Sequence, residues 1–139
     1  MVDLIGQYKQ IEEEVDAAFS EILSSCMFIN GPAVKQFSSN LSDYLGGAHV
    51  IPCANGTDAL QIALMALDLK PGDEVVTVPF TFVATAEVIA LLGLKPVFVD
   101  VNPCTFMLNE YLLEQAITER TRAIIPVHLF GQCANMETL

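Results

Sequence analysis

The stretch Glu74–Asp100 reads EVVTVPFTFVATAEVIALLGLKPVFVD and decides the fold class. Its two ends, Glu74–Val78 and Pro96–Val99, are short runs rich in β-branched residues, which is typical of buried strands. The segment between them, Phe82–Leu92, is predicted to be a helix. A strand, a helix and a second strand in this order predict a crossover unit of a parallel sheet.

The same alternation continues on both sides of that stretch. Before it, Val50–Cys53 is predicted to be a strand and Thr57–Leu67 a helix. After it, Glu110–Ile117 is predicted to be a helix and Arg122–Val127 a strand. Residues 135–139 look like the opening of another helix, and a helix cut in its first turns has little to pack against. The fold class is therefore predicted to be α/β, a mostly parallel sheet with helices on both faces.

Two helices are predicted to precede the sheet. In Leu4–Leu23 the apolar residues recur every three or four positions, and the acidic run Glu12–Glu14 lies on the solvated face. Residues 30–32, Asn-Gly-Pro, then favour a turn and a fresh helix start at the proline. The chain is accordingly divided into residues 1–47, the N-terminal helices, and residues 48–139, the sheet-containing part.

Composition and charge exclude several classes of function. The 139 residues include six basic and seventeen acidic side chains, a net charge of -11, which would repel nucleic acids and acidic membrane surfaces. Mean hydropathy is high, +0.48, but the apolar stretch Val83–Val99 is interrupted by Glu87, Gly93 and Lys95 before it could span a bilayer. The first residues lack the basic start and apolar run of a secretory signal, so a cytoplasmic location is expected.

Cysteine and histidine spacing gives no strong metal signal. The four cysteines, Cys26, Cys53, Cys104 and Cys133, lie far apart without a CxxC pair. His49 with Cys53 and His128 with Cys133 are single pairs with no second pair beside them. No metal site is therefore predicted, and isolated thiols are expected.

Ligands bind at the carboxyl ends of the strands in parallel sheets, so candidate site residues are expected there. Gly56, Thr57 and Asp58 follow a predicted strand and open a helix, which leaves backbone N–H groups for an anion such as a phosphate. The alternative is ordinary capping of that helix by Asn55 or Thr57, which needs no ligand. The segment is neither a Walker motif nor GxGxxG.

Other strand ends carry weaker candidates. The ring of Phe82 is placed to stack on an aromatic cofactor, with core packing as the alternative. Asp100 is expected to cap a turn. His128 and Gln132 flank a glycine-containing loop, where they either bond a ligand or are satisfied within the protein.

Segments in order along the chain resemble the DegT/DnrJ/EryC1/StrS family of pyridoxal-phosphate-dependent aminotransferases: FINGPAV, ANGTDALQIALMAL, PGDEVVTVPFTFVATAE, KPVFVDVNPCTFMLN and TRAIIPVHLFGQCANM. The resemblance covers essentially the whole chain. It implies an aspartate-aminotransferase type of large domain, present only in part. It also implies transfer of an amino group from glutamate or glutamine to a keto-sugar carried on a nucleoside diphosphate, usually by a homodimer.

The resemblance also implies roles for particular residues. Gly56, Thr57 and Asp58 would hold the phosphate of pyridoxal 5'-phosphate, and Phe82 would stack on its ring. Asn30 and Gly31 match a substrate-side loop beside the bound nucleotide sugar.

One departure from the family pattern is large. Relatives continue to an Asp-x-Ala-Gln/His motif, whose Asp pairs with the pyridinium nitrogen, and to the Lys that forms the Schiff base. Neither is present, and none of the four lysines, Lys9, Lys35, Lys70 and Lys95, is expected to replace that Lys. The chain is therefore predicted to be a truncated, inactive and self-associating N-terminal part of such an enzyme. The complete protein is expected to use pyridoxal 5'-phosphate, and binding of this cofactor by the chain itself is expected to be weak or absent. The alternatives are a non-catalytic module that binds phosphate or a nucleotide sugar, and a structural gene remnant.

Overall fold

The computed structural model describes residues 2–139. The chain divides into two compact units, one ending at Pro52 and the other beginning at Cys53. The division predicted after residue 47 falls slightly earlier in the same connection.

The first unit contains the two predicted helices. Helix α1, Leu4–Ser25, begins at Asp3, whose carboxylate accepts a hydrogen bond from the Gly6 N–H at 2.9 Å. Helix α2, Pro32–Tyr44, has proline at its first position and is followed by two glycines with positive φ. No residue of either helix is buried, and large apolar side chains such as Phe19 are more than half exposed.

The second unit has the predicted alternation of helices and strands. Its elements are α3 Gly56–Ala66, β1 Glu74–Thr77, α4 Ala84–Leu91, β2 Lys95–Phe98, α5 Glu110–Ala116 and β3 Thr121–Ile124. The strands form a three-stranded sheet in the order β2-β1-β3, and β1 is parallel to both neighbours. The α/β prediction is therefore confirmed.

One part of the prediction is wrong. Val50–Cys53 is not a strand but a connection without regular structure, because Pro52 has no N–H to donate and these residues pair with no strand among residues 2–139. Residues 135–139, predicted to open a helix, form a single turn closed by the Leu139 N–H on the Asn135 carbonyl at 3.2 Å.

Side chains of the central strand alternate between two cores. Val75 packs with Leu64 of α3 and Ile89 of α4, whereas Val76 packs on the opposite face with Leu113 of α5. Helices thus cover both faces. Val88 of α4 is only 2% exposed because it belongs to the first of these cores.

A buried carboxylate joins the three strands at the amino end of the sheet. Glu74, which starts β1, is 2% exposed. Its Oε1 accepts hydrogen bonds from Lys95 Nζ at 3.0 Å and Arg120 Nη2 at 2.9 Å, and its Oε2 accepts one from the Thr118 hydroxyl at 2.6 Å. The pKa of Glu74 lies below its ordinary value of 4.5, first because of the hydrogen bond from Thr118 and then because of the bond from Lys95 and the charges of Lys95 and Arg120. Burial opposes this shift. Glu74, Lys95, Thr118 and Arg120 are called the amino-edge cluster below.

No helix among the described residues is both long enough and apolar enough to cross a bilayer.

Candidate functional site

The candidate site lies at the carboxyl edge of the sheet, opposite the amino-edge cluster. Helix α3 leads into β1 through residues 67–73 and packs on the sheet through Leu64. Because helices that flank a parallel sheet run antiparallel to its strands, we infer that the N-terminus of α3 points toward this edge. The connection from β1 to α4 and the segment that follows β3 leave the sheet at the same edge. Open α/β sheets bind ligands at this position.

The start of α3 is capped by a side chain and still leaves donors over. Asn55 Oδ1 accepts from the Asp58 N–H at 2.9 Å, and Asn55 Nδ2 donates to the Asp58 carboxylate at 3.1 Å. The N–H groups of Gly56 and Thr57 have no acceptor within residues 2–139. Capping and anion binding, posed as alternatives by the sequence, are thus compatible, because the cap uses only one of the three predicted donors.

Asp58 is less suited to anion binding than its two neighbours. Its N–H is engaged by Asn55, and its carboxylate is negative at the place where a phosphate would approach. Contact between Asp58 and a cofactor stays a prediction, and it would require Asp58 to leave its cap. Gly56 and Thr57 are the stronger pair.

Open space surrounds Gly56. A Cβ added there would meet no protein atom within 4 Å, and the residue does not have a positive φ. Neither packing nor backbone conformation therefore requires a glycine at this position. The missing side chain leaves the N–H groups accessible to a group from outside, such as the phosphate of a cofactor.

Phe82 presents its ring to solvent. It precedes α4, which begins at Ala84 rather than at Phe82 as predicted, and 74% of its surface is exposed. Within residues 2–139 the ring is therefore not part of a core, and stacking on a cofactor stays a prediction. Its backbone carbonyl is held by the Thr85 N–H at 3.2 Å, so an ordered turn carries the exposed ring.

Asp100 and His128 have structural partners. Asp100 Oδ1 accepts from the Val101 N–H at 2.8 Å, which is the turn capping expected for it. His128 Nδ1 accepts from the Ala134 N–H at 3.0 Å, so the imidazole is used to close its own loop. Its Nε2 is left as the atom that can meet a ligand.

Asn30 and Gly31 lie in the first unit. Asn30 has a φ of 51°, which asparagine tolerates better than most residues. Gly31 is buried, and a Cβ there would lie 2.2 Å from the Met27 carbonyl oxygen. The turn therefore requires this glycine for structural reasons, and a contact with substrate stays a prediction.

Three aromatic residues at the carboxyl edge were not singled out from sequence. Phe80 follows β1, Phe106 lies between β2 and α5, and Phe130 follows β3. The ring centroids of Phe80 and Phe106 are 5.4 Å apart, and those of Phe106 and Phe130 are 6.2 Å apart. These three residues are called the aromatic row below. Phe80 and Phe130 follow predicted strands closely, whereas nothing in the sequence near Phe106 marks it.

The lysines and potential metal ligands do not add to this edge. Lys70 pairs with Asp68 at 2.7 Å before β1, and Lys95 belongs to the amino-edge cluster. Lys9 and Lys35 are exposed on helices of the first unit. The described part of the chain holds no group of three or more His, Cys, Asp or Glu side chains arranged to hold a metal ion.

Comparison with known proteins decides the family. Residues 9–139 match the profile of the DegT/DnrJ/EryC1/StrS aminotransferase family. The chain belongs to this family. Among curated DegT/DnrJ/EryC1/StrS relatives, it is 51% identical over 138 residues to the UDP-2-acetamido-2-deoxy-3-oxo-D-glucuronate aminotransferase of Pseudomonas aeruginosa, covering 99% of this chain and 38% of that protein.

Solved structures of the same DegT/DnrJ/EryC1/StrS family share the fold. A family aminotransferase from Brucella abortus is 46% identical with a TM-score of 0.90, covering 99% of this chain and 39% of that one. NtdA from Bacillus subtilis, solved with bound cofactor PMP, is 40% identical with a TM-score of 0.86, covering 93% of this chain and 30% of that one. The present chain thus spans less than half the length of these relatives. The family implies pyridoxal 5'-phosphate, and the open donors of Gly56 and Thr57 fit its phosphate.

Proposed function

We propose that the chain is the N-terminal part of an aminotransferase that uses pyridoxal 5'-phosphate to aminate a nucleotide-linked keto-sugar. The observation that carries the proposal is the pair of unpaired N–H groups at Gly56 and Thr57, beside open space at the start of a helix. Family membership supports the reaction class. When bound, the cofactor would supply the electron sink for amino transfer.

The chain's own residues hold and orient the cofactor. The Gly56 and Thr57 amides donate to its phosphate, and the positive end of the α3 dipole adds to their attraction. The Thr57 hydroxyl, which has no partner in residues 2–139, adds a third donor. The exposed ring of Phe82 stacks on the cofactor ring. Local donors are needed because the net charge of -11 gives no general attraction for an anion.

The substrate part of the proposal rests on relatives. A relative from Pseudomonas aeruginosa carries a UDP-linked 3-oxo sugar acid in its name, which supports a nucleotide sugar as amino acceptor. The donor would be glutamate or glutamine, and Asn30 and Gly31 would lie beside the bound sugar nucleotide. The complete protein is proposed to act in the cytoplasm.

The chain as given is proposed to bind the cofactor only weakly and not to catalyse amino transfer. None of its lysines has been placed at the carboxyl edge, and the acid that would pair with the pyridinium nitrogen has no counterpart in the matched motifs. A non-catalytic module that binds phosphate or a nucleotide sugar remains the second candidate, since the same two amides would serve it.

Self-association is also proposed. Both edge strands, β2 and β3, have one side without a partner strand among residues 2–139. Apolar side chains such as Ile29, at 90% exposed, and Leu91, at 67% exposed, lack cover within the same residues. Sedimentation should therefore show oligomers, and a sharply melting monomer would contradict this part of the proposal.

The phosphate site can be tested by amide NMR. Titration with pyridoxal 5'-phosphate, and separately with inorganic phosphate, should shift the Gly56 and Thr57 amide signals. The Ala59 amide, whose N–H is already bonded to the Asn55 carbonyl at 3.1 Å, is the internal control and should move little.

Gly56→Ala separates binding from folding. An alanine fits the open space, so the melting temperature should hold or rise, while its methyl group should hinder the approach of the anion. Retained phosphate shifts in the variant, or no shifts in the original chain, would count against the proposed site.

A further inference from the structure

The aromatic row is built from three different connections. Phe80 and Phe106 are tilted at 33° to each other, and Phe106 meets Phe130 edge to face at 79°. These are favourable aromatic geometries. The three connections come together at the carboxyl edge, although the residues are far apart in sequence.

Two of these rings are carried by backbone that phenylalanine disfavours. Phe106 has a φ of 61° and Phe130 a φ of 57°. Phe130 and Gly131, with a φ of 76°, are the central residues of a turn closed by the Gln132 N–H on the Leu129 carbonyl at 3.1 Å. Positive φ at both central residues is the pattern of a type I′ turn, which favours Asn, Asp or Gly at the first of them. A bulky residue there is strained.

Burial does not account for the strain at Phe130. Its side chain is 77% exposed, against 41% for Phe106, so the described residues gain little by covering it. An asparagine would suit the turn better and would lose little packing. Strained residues that persist without a packing reason cluster at ligand sites.

The cleft beside Phe130 restricts what its ring can meet. Pro79, Phe80, Thr81, Leu129 and Phe130 line a cavity of about 260 Å³, and none of them is charged. Whole ligands usually occupy more than about 300 Å³, so the space suits one ring and not a complete nucleotide sugar. A diphosphate would find no cationic side chain here. A sugar would find few side-chain partners for its hydroxyls, because the Thr81 hydroxyl already bonds Thr85 at 3.2 Å and the other four lining side chains are apolar.

We propose that Phe130 is a specificity-determining residue whose exposed ring stacks on the base of the nucleotide sugar. The inference rests on the proposed function and names the part of the substrate that this cleft takes. Stacking on an aromatic face suits a planar, uncharged ring and does not depend on hydrogen-bonding groups in the cleft. The strained turn keeps the ring at the mouth of the cleft.

The test compares Phe130→Asn with a control in the same unit. Tyr111→Ala removes another exposed aromatic side chain, 80% exposed, from helix α5. Each chain is melted without ligand and titrated by calorimetry with uridine diphosphate, inorganic pyrophosphate and N-acetylglucosamine 1-phosphate. Phe130→Asn should raise the melting temperature by about a few degrees as the strain is relieved. It should weaken uridine diphosphate binding about tenfold and leave pyrophosphate binding unchanged. Tyr111→Ala should change neither affinity.

Several outcomes would overturn the inference. A lower melting temperature for Phe130→Asn would make the ring a packing residue. Equal uridine diphosphate binding by the original chain and Phe130→Asn, or no binding by either, would show that the base does not lie in this cleft. A loss of affinity only for N-acetylglucosamine 1-phosphate would assign the ring to the sugar. Failure of the proposed function is separate, because it would appear as unshifted Gly56 and Thr57 amides with phosphate alone.

Discussion

The two edges of the sheet differ in how completely their polar groups are paired. At the amino edge Glu74 is buried, and three donors, one from β2 and two from the connection before β3, satisfy its carboxylate. At the carboxyl edge the Gly56 and Thr57 amides lack acceptors within residues 2–139, and the rings of Phe82 and Phe130 are largely exposed. A protein that only needed to fold would gain from pairing and covering both edges.

The difference separates residues that hold the fold from residues available for binding. The amino-edge cluster joins β1 to β2 through Lys95 and to the connection before β3 through Thr118 and Arg120. The carboxyl edge has a strained turn and a glycine that neither packing nor backbone explains. Mutations at the two edges should therefore have opposite signatures: loss of stability at one, and loss of binding with stability kept at the other.

The largest effect is expected at the amino edge. Glu74→Gln removes the negative charge that faces Lys95 and Arg120, and an amide cannot accept all three hydrogen bonds in the same way. It should give the largest fall in melting temperature of the variants considered. Asp68→Asn is the matched control, because it removes an equally short pair with Lys70 whose two side chains are exposed.

That control should melt like the original chain. If the two variants lowered the melting temperature equally, burial of Glu74 would not matter and the contrast between the edges would lose its basis. Thermal unfolding followed by circular dichroism is sufficient to decide.

The amino edge should also give stability a dependence on pH. The pKa of Glu74 is lowered in the folded chain, so the folded state binds its proton less readily than the unfolded state. The stabilisation is fully present above the unfolded pKa and is lost as the pH falls through the lower, folded pKa. Denaturant unfolding between pH 7 and pH 3 should show this loss, and Glu74→Gln should flatten that part of the profile. An unchanged profile in the variant would place the acid sensitivity elsewhere.

The sequence predicts the parts of the fold that depend on local pattern. The β-branched runs around Val76, Val97 and Ile124 become parallel strands, because their periodicity and their flanking turns are local signals. Val50–Cys53 carries a similar run and fails, because a strand exists only where a neighbour pairs with it. Strand pairing depends on residues that are far apart in sequence. The same is true of the bond between Glu74 and Arg120, which are 46 residues apart.

The candidate site was predicted in part for the same reason. The helix start at Gly56 and Thr57 has a local signature, and the structure adds that Asn55 withdraws the Asp58 amide from it. The aromatic row has no local signature. A phenylalanine does not indicate a positive φ, so nothing in the sequence alone marks Phe106 or Phe130 as strained.

A smaller effect is expected from the Thr57 hydroxyl. Thr57→Val keeps the β-branched shape and the backbone N–H but removes one donor to a bound phosphate. Because hydrogen bonds to charged groups are among the stronger ones, affinity for pyridoxal 5'-phosphate should fall about tenfold with little change in melting temperature. Thr138→Val, an exchange of the same kind outside the site, should bind like the original chain. Equal affinities for the original chain and Thr57→Val would exclude the hydroxyl from the site.

No covalent reaction with pyridoxal 5'-phosphate is expected at the lysines. Lys70 precedes β1 and Lys95 starts β2, so both lie at the end of the sheet opposite to Gly56 and Thr57. Incubation with pyridoxal 5'-phosphate, borohydride reduction and peptide mapping should therefore give no stoichiometric adduct at either residue, nor at Lys9 or Lys35. Trace labelling of exposed amines is the background, and a free-lysine peptide mixture measures it. A full equivalent at Lys95 would show that the amino edge opens to ligand, and the division between a folding edge and a binding edge would then be wrong.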